Sequence, residues 1–282
     1  LSILTLMQAQ LETFSAGERQ IANTILDDPD MMARLSSIEL ARKSGRSQSS
    51  VVKFCQKLGF SGYQDLRLEI TRAAAAARSA PLDAVHSTID TGDDALITAQ
   101  KLLSSKIKSL QETLGINAPG QMDAARDMLN GAARVQLSGV GASSLVARDF
   151  AYKLQKLGIP VLFDGDSHIQ IAHAATLTES DVLVSLSQSG TSLETLRVAE
   201  TARQRGATIL TVTGLHPNRL AELADIALRT VTDEERVRSS AITSRDAQLI
   251  LLDMVFLRLV QIRDGAVELI SGAAEAVAPL KL

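Results

Sequence analysis

Among 282 residues there is no tryptophan, one cysteine, two tyrosines and six phenylalanines. With aromatics at only 3%, neither a lectin surface built on stacked rings nor an aromatic-rich RNA platform is expected. The single thiol, Cys55, cannot close an intramolecular disulfide or furnish a cysteine-rich zinc centre, so no metal site is expected. No apolar run approaches the roughly 18 residues that a membrane helix needs. The first residues also lack the charged-then-apolar order of a secretory signal, which makes a soluble, cytoplasmic protein the expectation.

What is present is a hydrophobic fraction of 45%, sufficient for a real core, in a chain long enough for two domains or one large α/β domain with an appendage. The net charge of −3 is unevenly spread. Residues 34–78 hold nine lysines and arginines against three acids, so a basic block is joined to an acidic remainder. That division suggests one part for a polyanion and another for a different task, although a charge excess can also be a solvated face.

Periodicity separates three regions. Residues 1–72 read as short helices, with Ser15 and Glu18 forming a capping box ahead of Ile21, Ala22, Ile25 and Leu26, and Pro29 following the helix end. Residues 73–93 read as a linker, helical at first and broken at Pro81. Residues 94–132 read as two amphipathic helices split by "GINAPG". From Arg134 onward, short apolar strands ("RVQLSG", "PVLFDG", "DVLVSLS", "ATILTVTG", "DIALRTV") alternate with helices. Strands apolar on both faces and separated by helices predict a five-stranded parallel sheet flanked by helices. A long helix over about residues 240–260 is expected to close the domain. The expected organisation is therefore an all-α domain over 1–72, a linker over 73–93 and an α/β domain over 94–282.

In the basic block, "SSIELARKSGRSQSSVVKFCQKLGF" reads as a helix over 37–43 with Ile38, Leu40 and Ala41 apolar, a turn at Ser44-Gly45-Arg46, and a second helix capped by Ser47. Val51, Phe54, Cys55 and Leu58 face inward at helical spacing, which makes Cys55 a core residue. The other face shows Gln48, Ser49, Ser50, Lys53, Gln56 and Lys57, groups able to reach base edges and phosphates from the N-terminal half of a recognition helix. From the pattern alone, an ordinary helical hairpin with a polar face remains open. The run "SSIELARKSGRSQSSVVKFCQKLGFSGYQDLRLEI" resembles the N-terminal domain of the RpiR family of bacterial transcription regulators. Its serine-rich helix start, "VVKF", "KLGF" and the Gly62-Tyr63 pair followed by Leu66 carry the likeness. The resemblance implies a helix-turn-helix with Ser47, Gln48, Ser49, Ser50, Lys53 and Lys57 on double-stranded operator DNA.

The stretch "LVSLSQSGTSLE", residues 183–194, sits where a predicted strand meets a predicted helix. It offers hydroxyls at Ser187, Ser189, Thr191 and Ser192 around Gly190, without lysine, arginine or histidine. Free N–H groups and the positive end of a helix dipole can hold an anion there. A serine nucleophile would want a G-x-S-x-G elbow with histidine and an acid, and the elbow is absent. A second turn, "LSGVGASS", has Gly139 and Gly141 but no third glycine or following acid, so a dinucleotide site is weakly supported and no cofactor is expected. Two glycines making only a tight turn would look the same.

These two turns resemble the sugar isomerase (SIS) domain found in the C-terminal half of RpiR regulators, with the [ST]-x-S-G-x-[ST] pattern read as residues 187–192. The resemblance implies that Ser187, Ser189 and Ser192 contact a phosphate, that Gln188 and Gly190 lie beside it, and that Ser143 reaches the sugar or phosphate. Within the family, "SQSSVVKFCQKLG", "GASSLVARDFAYKLQKLG" and "GDSHIQIAHA", along with "RSSAITSRDAQ", most resemble members that respond to N-acetylmuramic acid 6-phosphate. That likeness adds Ser167 and His168 as sugar partners, although His168 can equally be a helix-start residue with no ligand. Glu235 lies about where sugar isomerases carry a catalytic glutamate, without clean alignment. Arg238, Ser239, Ser240 and Arg245 could touch ligand or a partner subunit. The resulting expectation is a phosphosugar-controlled regulator, a repressor, acting as a homo-oligomer (dimer or tetramer) and not an enzyme. The alternative is a phosphosugar isomerase or lyase.

Overall fold

The computed structural model describes residues 3–78, 84–86, 88–232, 234 and 241–280. It divides into two compact units, Leu1–Thr98 and Ala99–Leu282. The first contains helices α1 (Ile3–Ala9), α2 (Ala16–Asp27), α3 (Ser37–Lys43), α4 (Gln48–Lys57) and α5 (Tyr63–Arg78), then a short antiparallel ribbon of β1 (Ala84–His86) and β2 (Ile89–Asp90).

Local chemistry starts these helices where the sequence predicts. Ser15 Oγ accepts the Glu18 N–H while Glu18 Oε2 accepts the Ser15 N–H, and Ser36 and Glu39 repeat the exchange at α3. Ser47 Oγ accepts the Ser50 N–H at 3.2 Å and opens α4. Each such cap contributes on the order of 1 kcal/mol by satisfying N–H groups that the helix itself leaves unpaired. Ile21, Ile25, Leu40, Val51, Phe54, Leu66 and Ile70 form the buried core, with Phe14 and Phe54 edge to face at 5.2 Å. Cys55 is fully buried and desolvation pushes its thiol up to about 11, so it is a core residue as expected. Ile38 is not. It is 63% exposed, because two residues before Leu40 is roughly 200° around the helix from the buried face.

Helix α6 (Ala95–Ile116) crosses the boundary between the units. The second unit continues with α7 (Pro119–Asn130), β3 (Val135–Ser138), α8 (Ala142–Gln155), β4 (Val161–Leu162), α9 (Ser167–Ala174) and β5 (Val182–Ser187). Next come α10 (Leu193–Gln204), β6 (Thr208–Gly214), α11 (Arg219–Glu222), β7 (Ile226–Thr230), α12 (Ile242–Ile262) and α13 (Ala266–Val277). The five strands β3 to β7 are all parallel, in spatial order β4-β3-β5-β6-β7. Contrary to expectation, α12 does not end the fold. Gly265, at φ +72°, turns the chain into α13, a further helix whose Ala266 is buried against the core.

The sheet also departs from the reading of strands apolar on both faces. Leu137, Val184, Leu186, Leu210 and Val212 form one face and pack beneath α7, α8 and α12. The alternate positions, facing α9, α10 and α11, include Leu183 and Ile209 but also the in-register row Ser138, Ser185 and Thr211. These three are fully buried, and their hydroxyls have no hydrogen-bond partner among the described residues. At the opposite end of the strands, Arg134 grips the buried Asp181 through Nη2 at 2.6 Å and Nε at 3.1 Å, and Thr178 donates to the same carboxylate. The guanidinium, first among these causes, holds the Asp181 carboxyl below its usual range.

Candidate functional site

Strand order creates the site. From β3 the chain crosses through α8 to β4 on one side, whereas from β5 it crosses through α10 to β6 on the other. The loops leaving the C-terminal ends of β3 and β5 therefore diverge, and an open parallel sheet binds ligands in the crevice at such a switch point. The two hydroxyl-rich turns named above are those two loops.

The first, residues 139–141, is built on two glycines for different reasons. A Cβ on Gly139 would lie 3.1 Å from the Ser143 carbonyl group, and Gly141 sits at φ +56°. Ser143 Oγ, in the first turn of α8, accepts a hydrogen bond from Gln248 Nε2 of α12 at 3.2 Å. Gln170 of α9, almost fully buried, braces the turn by accepting the Gly139 N–H and donating to the Gly139 and Asp164 carbonyls.

The second, residues 188–192, is folded upon its own hydroxyls. Ser187 is buried, accepts the Gly190 N–H at 3.1 Å and lies 3.3 Å from Ser192 Oγ. Exposed Ser189 accepts both the N–H and the hydroxyl of Thr191, at 3.3 and 3.1 Å. Gln188 is fixed to the neighbouring strands, its carbonyl taking the Gly214 N–H and its Oε1 the Thr230 hydroxyl at 2.8 Å. Gly190 holds φ +64° and its carbonyl accepts Leu220 N–H. Helix α10 starts at once after Ser192. Polarisable hydroxyls, main-chain amides and the positive end of a three-turn helix are thus gathered at one point, a donor set suited to an anion.

Ser167 and His168 form the first turn of α9, at the C-terminal end of β4, which neighbours β3. His168 is exposed, and its N–H donates to the N-cap Asp166 at 2.7 Å. That carboxylate already occupies the positive end of α9, so α8 and α10 are the helix ends left for an incoming anion.

Glu235, Arg238, Ser239 and Ser240 lie outside the described residues. Adjacent Glu234 is buried, and its carboxylate accepts the Thr243 and Ser244 N–H groups at the start of α12. Arg245 donates from Nε to the Ala241 carbonyl at 2.9 Å. Sequence reasoning missed Gln170, Gln248 and Asn218, the last of which packs on Gly190. For the two glutamines the signal was an isolated amide in an otherwise apolar run, "IQIA" and "AQLIL"; Asn218, in "HPNRL", had no such signal.

In the first unit, α3 and α4 pack through Leu40, Ala41, Val51, Phe54 and Cys55, with a turn at Gly45 (φ +65°). Ser47, Gln48, Ser49 and Lys53 are exposed on α4 and Ser50 is half-buried, while Gln48 donates to Ser37 Oγ of α3. Lys57 differs from Lys53. Its ammonium pairs with Glu18 at 2.8 Å and lies 5.4 Å from the Phe14 ring centroid, so its charge is already engaged within the unit. Among the described residues no helix is long and apolar enough to cross a membrane, and no group of three or more His, Cys, Asp or Glu could hold a metal.

Comparison with known proteins matches both units. Residues 1–77 match the helix-turn-helix domain of the rpiR family, and residues 128–258 match the SIS domain. Over 98% of both chains, the structure is similar to the Vibrio vulnificus NanR protein complexed with ManNAc-6P, at 24% identity and a TM-score of 0.64. The sugar isomerase domain of an RpiR transcription factor from Sphaerobacter thermophilus matches 63% of this chain and 98% of its own, at 21% identity and a TM-score of 0.56. A phosphoheptose isomerase from Francisella tularensis matches 60% of this chain and all of its own, at 21% identity and a TM-score of 0.52. A helix-turn-helix domain of the rpiR family over residues 1–77 and a SIS domain over residues 128–258 together make this chain a DNA-binding regulator of the RpiR type.

Proposed function

We propose that this regulator is a repressor whose operator binding is controlled by a phosphosugar held between the loops of residues 139–143 and 187–192. The observation that carries the reading is the placement of both hydroxyl-rich turns at one switch point, each opening a helix. In the reading, a phosphate displaces the loop's internal acceptors. Its oxygens take the N–H groups that Ser187 and Ser189 now hold, and the freed hydroxyls of Ser187, Ser189 and Ser192 turn to donate. Gln188, tied to Thr230, and Gly190 frame the phosphate; Ser143, Ser167 and His168 line the sugar side.

The effector we favour is N-acetylmuramic acid 6-phosphate. ManNAc-6P belongs in the comparison because it is bound by the structurally similar Vibrio vulnificus protein. Two protomers would set their α4 helices in successive major grooves, about 34 Å apart on a near-palindromic operator. The effector shifts that equilibrium only by its difference in affinity for the two arrangements. Catalysis is not part of the proposal, because a helix-turn-helix unit in the same chain gives a phosphosugar site a regulatory task.

The test is thermal stabilisation of the full chain against a panel of phosphosugars, each with its unphosphorylated sugar as control. A ligand at 100 times its dissociation constant adds about 2.7 kcal/mol and is readily detected. Stabilisation by phosphorylated sugars only, lost in Ser189→Ala with operator affinity kept, is the expected result. No shift for any member, or turnover of a phosphosugar in an NMR time course, would overturn it.

A further inference from the structure

Gly190 is held from behind by a single side chain. A Cβ built on this glycine would lie 2.0 Å from Asn218 Oδ1, 2.1 Å from its Cγ and 2.6 Å from its Cβ, so the carboxamide lies flat against the turn of the serine loop. Asn218 is itself buried, and all its polar atoms are engaged. Oδ1 accepts the Ala221 N–H at 3.0 Å, while Nδ2 donates to Thr213 Oγ1 at 3.2 Å and to the His216 carbonyl at 2.9 Å. Flipping the amide would set its NH2 against the Ala221 N–H, which fixes its orientation. Thr213 is the in-register partner of Ser187, and its hydroxyl also accepts Arg229 Nη1 at 3.1 Å. Two residues after Asn218, the Leu220 N–H donates to the Gly190 carbonyl at 3.1 Å. The loop is therefore clamped from one residue on two sides, through the face of Gly190 and through the turn that delivers Leu220.

We infer that Asn218 is a positioning residue for the anion-binding loop. It keeps Gly190 in its left-handed conformation, so that the amides and hydroxyls of residues 187–192 converge on one point before any ligand arrives. A donor set arranged in advance binds a phosphate more tightly than one that must be ordered by it. Asn218 reaches the ligand only through Gly190 and Thr213. The inference rests on the reading of this loop as the phosphate site.

The experiment uses the full chain with N-acetylmuramic acid 6-phosphate, ManNAc-6P, inorganic phosphate and the two unphosphorylated sugars as probes, titrated by calorimetry. Two variants separate positioning from folding. Asn218→Asp keeps the size and the acceptor for Ala221 but loses both donated bonds and brings a negative charge behind the loop. Asn218→Ser keeps a capping oxygen but withdraws from Gly190. Both are expected to weaken the phosphorylated probe that the wild type binds by roughly tenfold or more, comparable to losing one charge-assisted hydrogen bond. Melting temperature should hold to within a few degrees and operator affinity should be unchanged. The deficit of Asn218→Asp should shrink as salt is raised, and that of Asn218→Ser should not. Undiminished phosphosugar affinity in both variants overturns the inference and leaves the reading of the loop intact. So does an affinity loss that tracks collapse of the melting transition, which makes Asn218 merely structural. A wild type that binds none of the phosphorylated probes overturns both.

Discussion

Replacing Gly190 by alanine tests the geometry of the serine loop most directly. Alanine at φ +64° carries a conformational cost of about 1–2 kcal/mol. The new methyl group would also overlap Asn218, with Oδ1 only 2.0 Å away. Relieving that overlap requires Asn218 to leave its rotamer or the turn to open, and overpacking of this kind costs about 1–3 kcal/mol. Together these predict a loss of about 2–5 kcal/mol for the second unit. For a unit of this size each kcal/mol lowers the melting temperature by about 2–4 °C. Differential scanning calorimetry of the full chain would read the shift, and titration with the effector would report loss of binding in the same variant. Gly120→Ala serves as the control. A Cβ there meets nothing within 4 Å, and in the first turn of α7 the change is expected to be neutral or to stabilise by up to about 1 kcal/mol. If Gly190→Ala melts within a degree of the wild type and still binds its effector, the argued contact between Gly190 and Asn218 is wrong.

Other substitutions probe the remaining claims. Lys53→Ala should weaken operator binding and flatten its salt dependence by about one unit of slope. Lys57→Ala, whose ammonium is spent on Glu18, should change DNA binding less and cost the first unit up to about 1 kcal/mol; equal DNA defects would refute the distinction. Asp181→Asn should cost about 1–3 kcal/mol at neutral pH by breaking the grip of Arg134. Because the folded carboxyl titrates below its unfolded value, this stabilisation is complete above about pH 4 and disappears as the pH falls through the folded value. Urea denaturation at pH 7 and in acid should show the gap between wild type and variant closing; a gap independent of pH would refute the linkage. Ser185→Ala removes a buried hydroxyl that has no partner among the described residues, so its stability should stay level or rise by up to about 1 kcal/mol. A clear loss in denaturation would show that the hydroxyl is bonded after all.

Helix starts, strand positions and the chemistry of the two turns were legible in the sequence because each is a local rule. Ser15 with Glu18 is a capping box wherever it occurs, and a short apolar segment between helices reads as a buried strand. Residues 187–192 were readable as a candidate anion site from their hydroxyls and a glycine at the head of a predicted helix, without any need for the fold. Ile38 shows the limit of such reading, since a helix of only seven residues gives too little pattern to tell its faces apart. The polar row of Ser138, Ser185 and Thr211 exceeded it too: alternation was present in "VLVSLS", but which face α10 would cover was not. Strand order was decided only by tertiary structure. Nothing local in β3 or β5 says that their crossovers run to opposite sides, yet that divergence is what opens the crevice and brings Ser143 and Ser187 to one edge. The same holds for the bracing amides, because Gln170, Gln248 and Asn218 acquire their partners from segments 31, 105 and 28 residues away in the chain. Composition and local pattern determined what kinds of element the chain would make and what sort of ligand its turns suit. Long-range packing alone determined which turns meet and which side chains hold them in place.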